Sequence, residues 1–211
     1  MQNPWLQLPT QSPYVLDMDR ESIDSYNTLH NDDKKIIVES IPEPFIGNPT
    51  TAKVVLLNLN PGHSEDDAKA HCDVDFRKAM MHNLRHEAQE CPFYALNPKF
   101  AWTACGQWWR THTKSLHKAG LSWEAISAGL LVIEWFPYHS KKSGLPIVPV
   151  CPSQQYSFQL ARETLGSKIV VGMRSKKHWL NVVPAVAKVA TEQNLGRSSC
   201  RDGVEAFATR A

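Results

Sequence analysis

Three short apolar runs, each ending at a turn signal, constrain the fold of this chain more than any other feature. They cover 53–59, 130–136 and 168–171, and each is continuous rather than alternating, as in parallel strands covered on both faces. Helical patterns separate them over 75–87, 103–119, 123–128, 154–165 and 175–183. Strands that alternate with helices predict βαβ units. We therefore expect a three-layer α/β/α domain with a four-stranded, mainly parallel sheet, whose fourth strand is the weaker run 187–193.

The length of 211 residues suits one domain with a sizeable core, so we expect a single domain over 1–211. Residues 1–50 form a proline-punctuated lead-in, in which 19–26 is typical of a short helix. The prolines of 41–49 remove backbone donors and restrict φ, which predicts that this stretch is not regular structure. A terminal helix is expected over 204–210.

Composition narrows the class of protein. No apolar run is long enough to cross a membrane, and the first residues lack the basic flank and apolar stretch of a signal peptide, so we expect a cytoplasmic protein without membrane contact. The five cysteines are scattered, with no C-x-x-C pair, and are expected to be free thiols. The net charge of +2 neither requires nor excludes a nucleic-acid partner, because a basic groove can lie on a near-neutral protein.

Polar residues follow each strand, and these residues are the candidate site. Asn60 follows the first strand, and residues 134–140 lie at and after the end of the second. Residues 172–177 follow the third strand, and residues 194–199 follow the fourth. Open α/β sheets hold ligands outside the carboxyl ends of their strands. We therefore expect these four segments to converge at one edge of the sheet.

The run 59–62 (Leu-Asn-Pro-Gly) after a buried strand resembles the first catalytic motif of the uracil-DNA glycosylase superfamily. The match is closest to the Asn-Pro-Gly branch, which includes the single-strand-selective and thymine-mismatch glycosylases. The run 134–137 (Glu-Trp-Phe-Pro) lies where the family places its base-reading residue, usually Asn, and 169–175 resembles its late strand, glycine and helix start. The segment 194–199 departs from the last motif, since it has neither proline nor histidine. The resemblance covers roughly 41–62, 130–140 and 168–205, in the correct order.

This resemblance implies a DNA glycosylase, which hydrolyses the N-glycosidic bond of a uracil or modified pyrimidine flipped out of the DNA stack. DNA is the implied partner, and no cofactor, metal or obligate protein partner is expected. No lysine follows the first motif in an evident Schiff-base position, which favours a monofunctional enzyme. The expected catalytic residues are Asn60, which would position the attacking water, Asn194 and Ser198. The expected base-binding residues are Asn58, Gly62, His63, Glu134, Tyr138 and His139. The expected DNA-binding residues are Lys141, Lys142, Arg174, Lys176 and Arg197.

Glu134 is an informative departure from the family pattern. An Asn amide offers both a donor and an acceptor, whereas an ionised carboxylate only accepts. An acceptor suits the exocyclic amine of cytosine, so Glu134 favours a modified cytosine over plain uracil. A protonated Glu134 would donate as well, and a structural ion pair with Lys or Arg is the alternative to a base-binding role.

Other functions remain open. The departure of 194–199 from the last family motif favours a catalytically silent nucleic-acid or nucleotide binder on the same fold. A hydrolase of free nucleosides or nucleotides, with its site at the same edge of the sheet, is a second alternative. A metal-dependent enzyme is a weaker alternative, because His82 and His86 are spaced to share a helix face. Its full candidate cluster is His71, Cys72, His82, His86 and Cys91. The tryptophans Trp102, Trp108 and Trp109 are predicted to be core residues more often than base-stacking platforms.

Overall fold

The computed structural model describes residues 1–173 and 175–191, and a five-stranded mixed sheet forms its centre. The strands are β1 (Phe45–Ile46), β2 (Val54–Asn58), β3 (Leu130–Glu134), β4 (Ile169–Gly172) and β5 (Ala190–Thr191). Their order in the sheet is β1-β3-β2-β4-β5. β2 pairs in parallel with β3 and β4, β4 pairs in parallel with β5, and β1 runs antiparallel to β3.

Helices connect the strands. They are α1 (Arg20–Leu29), α2 (Glu65–Ala70), α3 (Val74–Leu84), α4 (Ala104–Lys118), α5 (Trp123–Gly129), α6 (Gln154–Thr164) and α7 (Lys176–Val182). Short 3-10 helices cover Pro4–Gln7, Asp17–Asp19, Tyr94–Leu96, Pro98–Phe100 and Pro184–Lys188. Side-chain caps explain where several helices begin. The Thr103 side chain accepts a hydrogen bond from Gly106 N at the start of α4, and the Ser122 side chain accepts one from Ala125 N at the start of α5. No helix of the described ranges is long and apolar enough to cross a membrane.

The α/β class predicted from the sequence is found, but the sheet needs correction. The expected sheet had four strands and was mainly parallel, whereas the described chain forms five strands in a mixed sheet. The additional strand β1 lies in 41–49, which was wrongly predicted to lack regular structure. Proline loses only its N–H donor, so the Pro44 carbonyl still accepts from Glu134 N at 2.9 Å. Because β1 lies at the sheet edge, prolines beside it remove no bond that the sheet needs.

The core continues from the sheet into the lead-in. Every residue of β3 is buried, which accounts for its continuous apolar run. Trp5 and Tyr14 from the first fifteen residues are buried in the same hydrophobic cluster. Trp5 lies edge-on to Tyr138, with 6.0 Å between ring centroids. Residues 1–50 therefore pack as part of the same core, and the predicted terminal helix over 204–210 lies outside the described residues.

The order of the strands creates a crevice at one edge. From β2 the chain crosses to β3 on one side and then to β4 on the other side of β2. Connections that leave a strand in opposite directions open a crevice outside its carboxyl end. The loop that begins at Leu59 enters the crevice at this point.

Candidate functional site

A pocket of about 480 Å³ lies at the carboxyl edge of the sheet. Small-molecule sites span roughly 300–1,000 Å³, so a single heterocyclic base is within its capacity. Residues 58–64, which end β2 and begin the following loop, form one wall, and Glu134 at the end of β3 adjoins them. Glu43 and aromatic residues of α3 and α4 also line the pocket. The predicted convergence of the first two strand ends is therefore present.

Asn60 lines the pocket with its amide orientation determined by its neighbours. Its Nδ2 donates to the Pro61 carbonyl at 3.0 Å and to Ser140 Oγ at 2.9 Å. A carbonyl oxygen only accepts, so the nitrogen and not the oxygen must face Pro61. Among the described residues no donor reaches Asn60 Oδ1, which leaves this oxygen as an acceptor for a ligand or water. The parallel bridge between Gly62 and Ser140 holds the loop against the segment that follows β3.

Glu134 and Asn58 form a side-chain pair at the base of the pocket. They are register partners on β3 and β2, and Asn58 Nδ2 donates to Glu134 Oε1 at 2.9 Å. Glu134 is only 3% exposed, and no group in the described ranges bonds to its Oε2. Burial raises the pKa of this carboxyl group well above its ordinary value, which outweighs the lowering by the Asn58 bond, and nearby Glu43 raises it further. Burial therefore favours the neutral form of Glu134, in which Oε2 would carry an O–H that no described residue accepts.

Glu43 is a second buried carboxyl group in the pocket wall, and the sequence analysis missed it. Tyr94 donates its hydroxyl to Glu43 Oε1 at 2.5 Å, and Glu43 N donates to the Pro137 carbonyl at 2.9 Å. Desolvation raises the pKa of Glu43, and His139 and the Tyr94 bond oppose this rise. The available signal was a lone acidic residue between two prolines in an otherwise apolar stretch, since a buried acid needs a partner.

Aromatic side chains form another part of the pocket lining. Trp109 is buried, whereas Trp108 is half-buried and lies edge-on to it, with ring centroids 4.4 Å apart. Trp108 also stacks on His112 at 3.7 Å, which restrains its ring. The prediction of core packing holds for Trp109, and half-buried Trp108 also packs against the core, while both rings line the pocket. Trp102 is exposed, so its predicted core position is wrong.

Three histidines lie beside the loop after β2, and their ring nitrogens mainly hold the walls together. His139, a predicted base-binding residue, lines the pocket but has Nδ1 at 2.7 Å from the Gly62 carbonyl and Nε2 at 2.9 Å from the Ile41 carbonyl. Its nitrogens are therefore occupied by backbone, and its role is positioning. His63 Nε2 lies 3.0 Å from a serine hydroxyl, and its Nδ1 has no partner in the described chain. Desolvation lowers the pKa of His63 and lowers that of His71 to about 2, so His71 is neutral.

Tyr138 is not at the rim of the pocket, which corrects its predicted base-binding role. Its ring is buried, its hydroxyl donates to Asp19 Oδ2 at 2.7 Å, and the same hydroxyl accepts from Leu16 N at 3.3 Å. Asp19 also accepts from Ser153 N at 3.0 Å. Tyr138 therefore joins the lead-in to the sheet, because the chain at the end of β3 turns its side chain towards residues 16–19.

The predicted DNA-binding lysines lie at the surface near this edge, but several have protein partners. Lys142 forms an ion pair with Asp33 at 2.6 Å, and Lys141 is close enough to lower the pKa of Asp32, although the Lys35 bond and charge lower it more. Lys176 donates to the Val189 carbonyl at 3.3 Å. These contacts make the lysines a mixed-charge surface rather than a purely basic one.

Four predicted site residues fall outside the described residues: Arg174, Asn194, Arg197 and Ser198. Gly62 lies in the pocket wall, and a Cβ built on it would meet no atom within 4 Å. Within the described ranges no group of three or more His, Cys, Asp or Glu side chains is arranged to hold a metal ion. The proposed cluster around His86 is dispersed, since His86 bonds to Tyr156 and Cys91 to Ser127.

No protein-family model, curated protein or solved structure matches this chain.

Proposed function

We propose that the chain is a monofunctional DNA glycosylase with the three-layer fold of the uracil-DNA glycosylase superfamily, acting on a flipped-out uracil or modified pyrimidine. The observation that carries the proposal is the meeting of Asn58, Asn60 and Glu134 in one pocket at the carboxyl edge of the sheet. The Asn-Pro-Gly run and the base-reading position come from separate parts of the sequence. Their convergence supports the order of motifs on which the resemblance depends.

The first chemical requirement is a positioned water molecule. Hydrolysis forms a bond from the water oxygen to the sugar C1′ while the bond to the base breaks, and the base leaves with the bonding electrons. One proton of the water ends on the base, so the products are the free base and an abasic sugar. Asn60 Oδ1 is suited to accept a hydrogen bond from that water, because Ser140 and Pro61 hold Nδ2 and thereby orient the amide. A neutral amide is a weak base, so its contribution is mainly orientation of the nucleophile.

The second requirement is stabilisation of the departing base, whose oxygen gains negative charge. The neutral Glu134 carboxyl has an O–H available on the buried Oε2, while Asn58 holds Oε1. A donor preset in a water-poor site stabilises charge that develops in the transition state. In its neutral form the side chain donates as well as accepts, which is the alternative that the sequence left open beside an acceptor-only carboxylate. A neutral acid also donates to a carbonyl oxygen of uracil, so the preference for cytosine loses its original reason.

The half-buried ring of Trp108 offers an aromatic face on which a planar ligand can stack. Aromatic faces stack on any nucleobase, with about 1–3 kcal/mol for each stacked base. Extruding a base from a duplex costs a few kcal/mol, and stacking in the pocket would offset part of this cost. The remaining walls would then select the base through the Glu134 and Asn58 hydrogen bonds.

The proposal is tested by Asn60→Ala in a glycosylase screen. Oligonucleotides carry uracil, 5-substituted cytosines or glucosylated hydroxymethylcytosine, and alkaline cleavage reveals abasic sites. We expect excision of at least one base by the wild type and a fall of about 100-fold or more in single-turnover rate for Asn60→Ala, with DNA affinity retained. Asn31→Ala, at an exposed position away from the pocket, is the matched control and should keep full activity.

Two results would reject the proposal. DNA binding without excision of any base on the panel would favour the catalytically silent binder. Displacement of a bound ligand by free nucleoside but not by DNA would favour a nucleoside hydrolase. Equal excision by Asn60→Ala and the wild type would remove the proposed role of the Asn-Pro-Gly loop.

A further inference from the structure

The pocket at the carboxyl edge of the sheet contains buried acids without basic partners. Glu43 and Glu134 are both buried, and both line the pocket. None of the ion pairs between described residues includes either carboxyl group, and no described lysine or arginine lines the pocket. Charged groups that are buried in proteins are normally paired. Two buried acids beside an open cavity therefore point to a ligand that brings the positive charge.

Each acid is held by one neutral donor and keeps one oxygen for a ligand. Tyr94 donates its hydroxyl to Glu43 Oε1 at 2.5 Å, and Asn58 Nδ2 donates to Glu134 Oε1 at 2.9 Å. No described residue bonds to Oε2 of either side chain, and Oε2 of Glu134 is fully buried. The two neutral bonds orient the carboxyl groups without supplying any charge.

The other titratable side chains that line the pocket do not supply it either. Asp67 is an acid, and its carboxylate forms the capping box of α2. Desolvation lowers the pKa of His71 to about 2 and also lowers the pKa of His63, which disfavours their charged forms. Both ring nitrogens of His139 lie against backbone carbonyls and do not face a ligand.

Glu43 is the acid better suited to ionise when a cation enters the pocket. Burial raises the pKa of both carboxyl groups. For Glu43, the nearby charge of His139 and the Tyr94 hydrogen bond oppose this rise. For Glu134 only the Asn58 hydrogen bond opposes it, and the neighbouring Glu43 raises the pKa further. A bound cation favours the ionised form of an acid beside it, so Glu43 should lose its proton first.

The aromatic lining suits the same kind of ligand. Phe76, Trp108 and Trp109 all line the pocket. The face of an aromatic ring attracts a cation, and tryptophan does so most strongly. A flat heterocycle that carries positive charge and N–H donors would therefore satisfy both the acids and the rings.

We propose that the pocket takes a positively charged base, such as a cytosine alkylated on N3, with Glu43 as its counter-charge, an inference that rests on the proposed function. The exocyclic amine of such a base donates to Glu43 Oε2, and its carbonyl oxygen accepts from the neutral Glu134 carboxyl group. Glu43 is thus a specificity-determining residue that selects for charge.

The charge on the base also changes what hydrolysis requires. A bond forms between the water oxygen and C1′ while the bond from C1′ to the base nitrogen breaks. The electron pair of that bond neutralises the ring, so the base leaves uncharged and one proton of the water passes to solvent. No negative charge develops on the base, so its departure needs less stabilisation than the departure of uracil.

The test compares two ligands that differ in charge but hardly in size. 3-Methylcytidine is a cation at neutral pH, and 5-methylcytidine is neutral and carries the same number of heavy atoms. Their binding to the full-length protein is measured by calorimetry, and oligonucleotides that carry either base are compared by anisotropy and by excision. We expect the wild type to bind the cationic ligand about tenfold or more tightly in both forms. Glu43→Gln should bind the two ligands alike, whereas Glu21→Gln, at an exposed position of α1, should keep the preference.

The outcomes separate the ligand class from the proposed function. Equal affinity of the wild type for the charged and neutral ligands overturns the inference, whether or not Glu43→Gln folds. A folded Glu43→Gln that keeps the full preference also overturns it, since the counter-charge then lies elsewhere. Preference for the cation without excision of either base would reject the proposed function and leave the ligand class in place. Excision of uracil without any preference for charge would do the reverse.

Discussion

Replacement of Glu134 by Gln isolates the protonation state on which the proposed base recognition depends. Gln keeps the size of the side chain and an oxygen that can accept from Asn58 Nδ2, and it carries no titratable proton. The substitution therefore changes little in the neutral state of the site. It removes only the penalty of ionising a carboxyl group that is 3% exposed.

The size and sign of the effect follow from proton linkage. The folded-state pKa of Glu134 is raised above 4.5, the value for a solvated Glu. Between that value and the folded pKa, the unfolded chain has lost the proton and the folded chain retains it. The free energy of unfolding therefore falls as pH rises, by about 1.4 kcal/mol per pH unit from this one group, until the folded pKa is reached. The Gln variant lacks this slope, so its stability relative to the wild type should increase by that amount per unit.

The assay is urea unfolding of both proteins at pH 5, 6, 7 and 8. Glu43 also has a raised pKa and is present in both proteins, so only its charge interaction with Glu134 remains in the difference. Glu21→Gln, at an exposed position of α1, controls for loss of a carboxyl group as such and should run parallel to the wild type. If the free energies of unfolding of the wild type and Glu134→Gln differ by the same amount at all four pH values, Glu134 is ionised in the folded protein. That result would refute the neutral-acid account.

Three further substitutions separate structural from site roles. Tyr138→Phe removes the bond to Asp19 and should lower the free energy of unfolding by about 1–3 kcal/mol in urea, with excision unchanged. Gly106→Ala should destabilise by about 1–3 kcal/mol, because its Cβ would lie 2.3 Å from the Phe100 carbonyl oxygen. Gly62→Ala should fold as the wild type but excise more slowly, since the added methyl group occupies open space beside the pocket loop; unchanged excision would mean that the base does not approach this backbone.

Prediction from the sequence was accurate where structure depends on local pattern. The runs 53–59 and 130–136 contain β2 and β3, and the helix predicted over 103–119 differs from α4 by one residue at each end. It was wrong for 41–49, because pairing of β1 depends on β3, which is more than 80 residues away in the chain. The weak run 187–193 contains β5, which is only two residues long.

The candidate site shows the same division. Asn58, Asn60 and Glu134 could be predicted, because residues at the ends of adjacent parallel strands meet at one edge. Tyr138 and His139 are neighbours in sequence, yet one points to Asp19 and the other reaches the pocket wall. No periodic pattern distinguishes such neighbours where a strand has ended. Glu43 was missed for a related reason, since its position in the wall depends on long-range packing with Tyr94.

The amino-acid order alone determined which segments are strands, which residues follow them and therefore which amides and acids share an edge. Only the tertiary structure decided the burial of Glu134, the orientation of the Asn60 amide and the exposure of residues 146–149. The physical reason is that periodicity is a property of neighbouring residues, whereas desolvation and hydrogen-bond partners come from distant parts of the chain. The core around Glu134 raises the pKa of its carboxyl group, and Asn60 is oriented by a serine 80 residues further along.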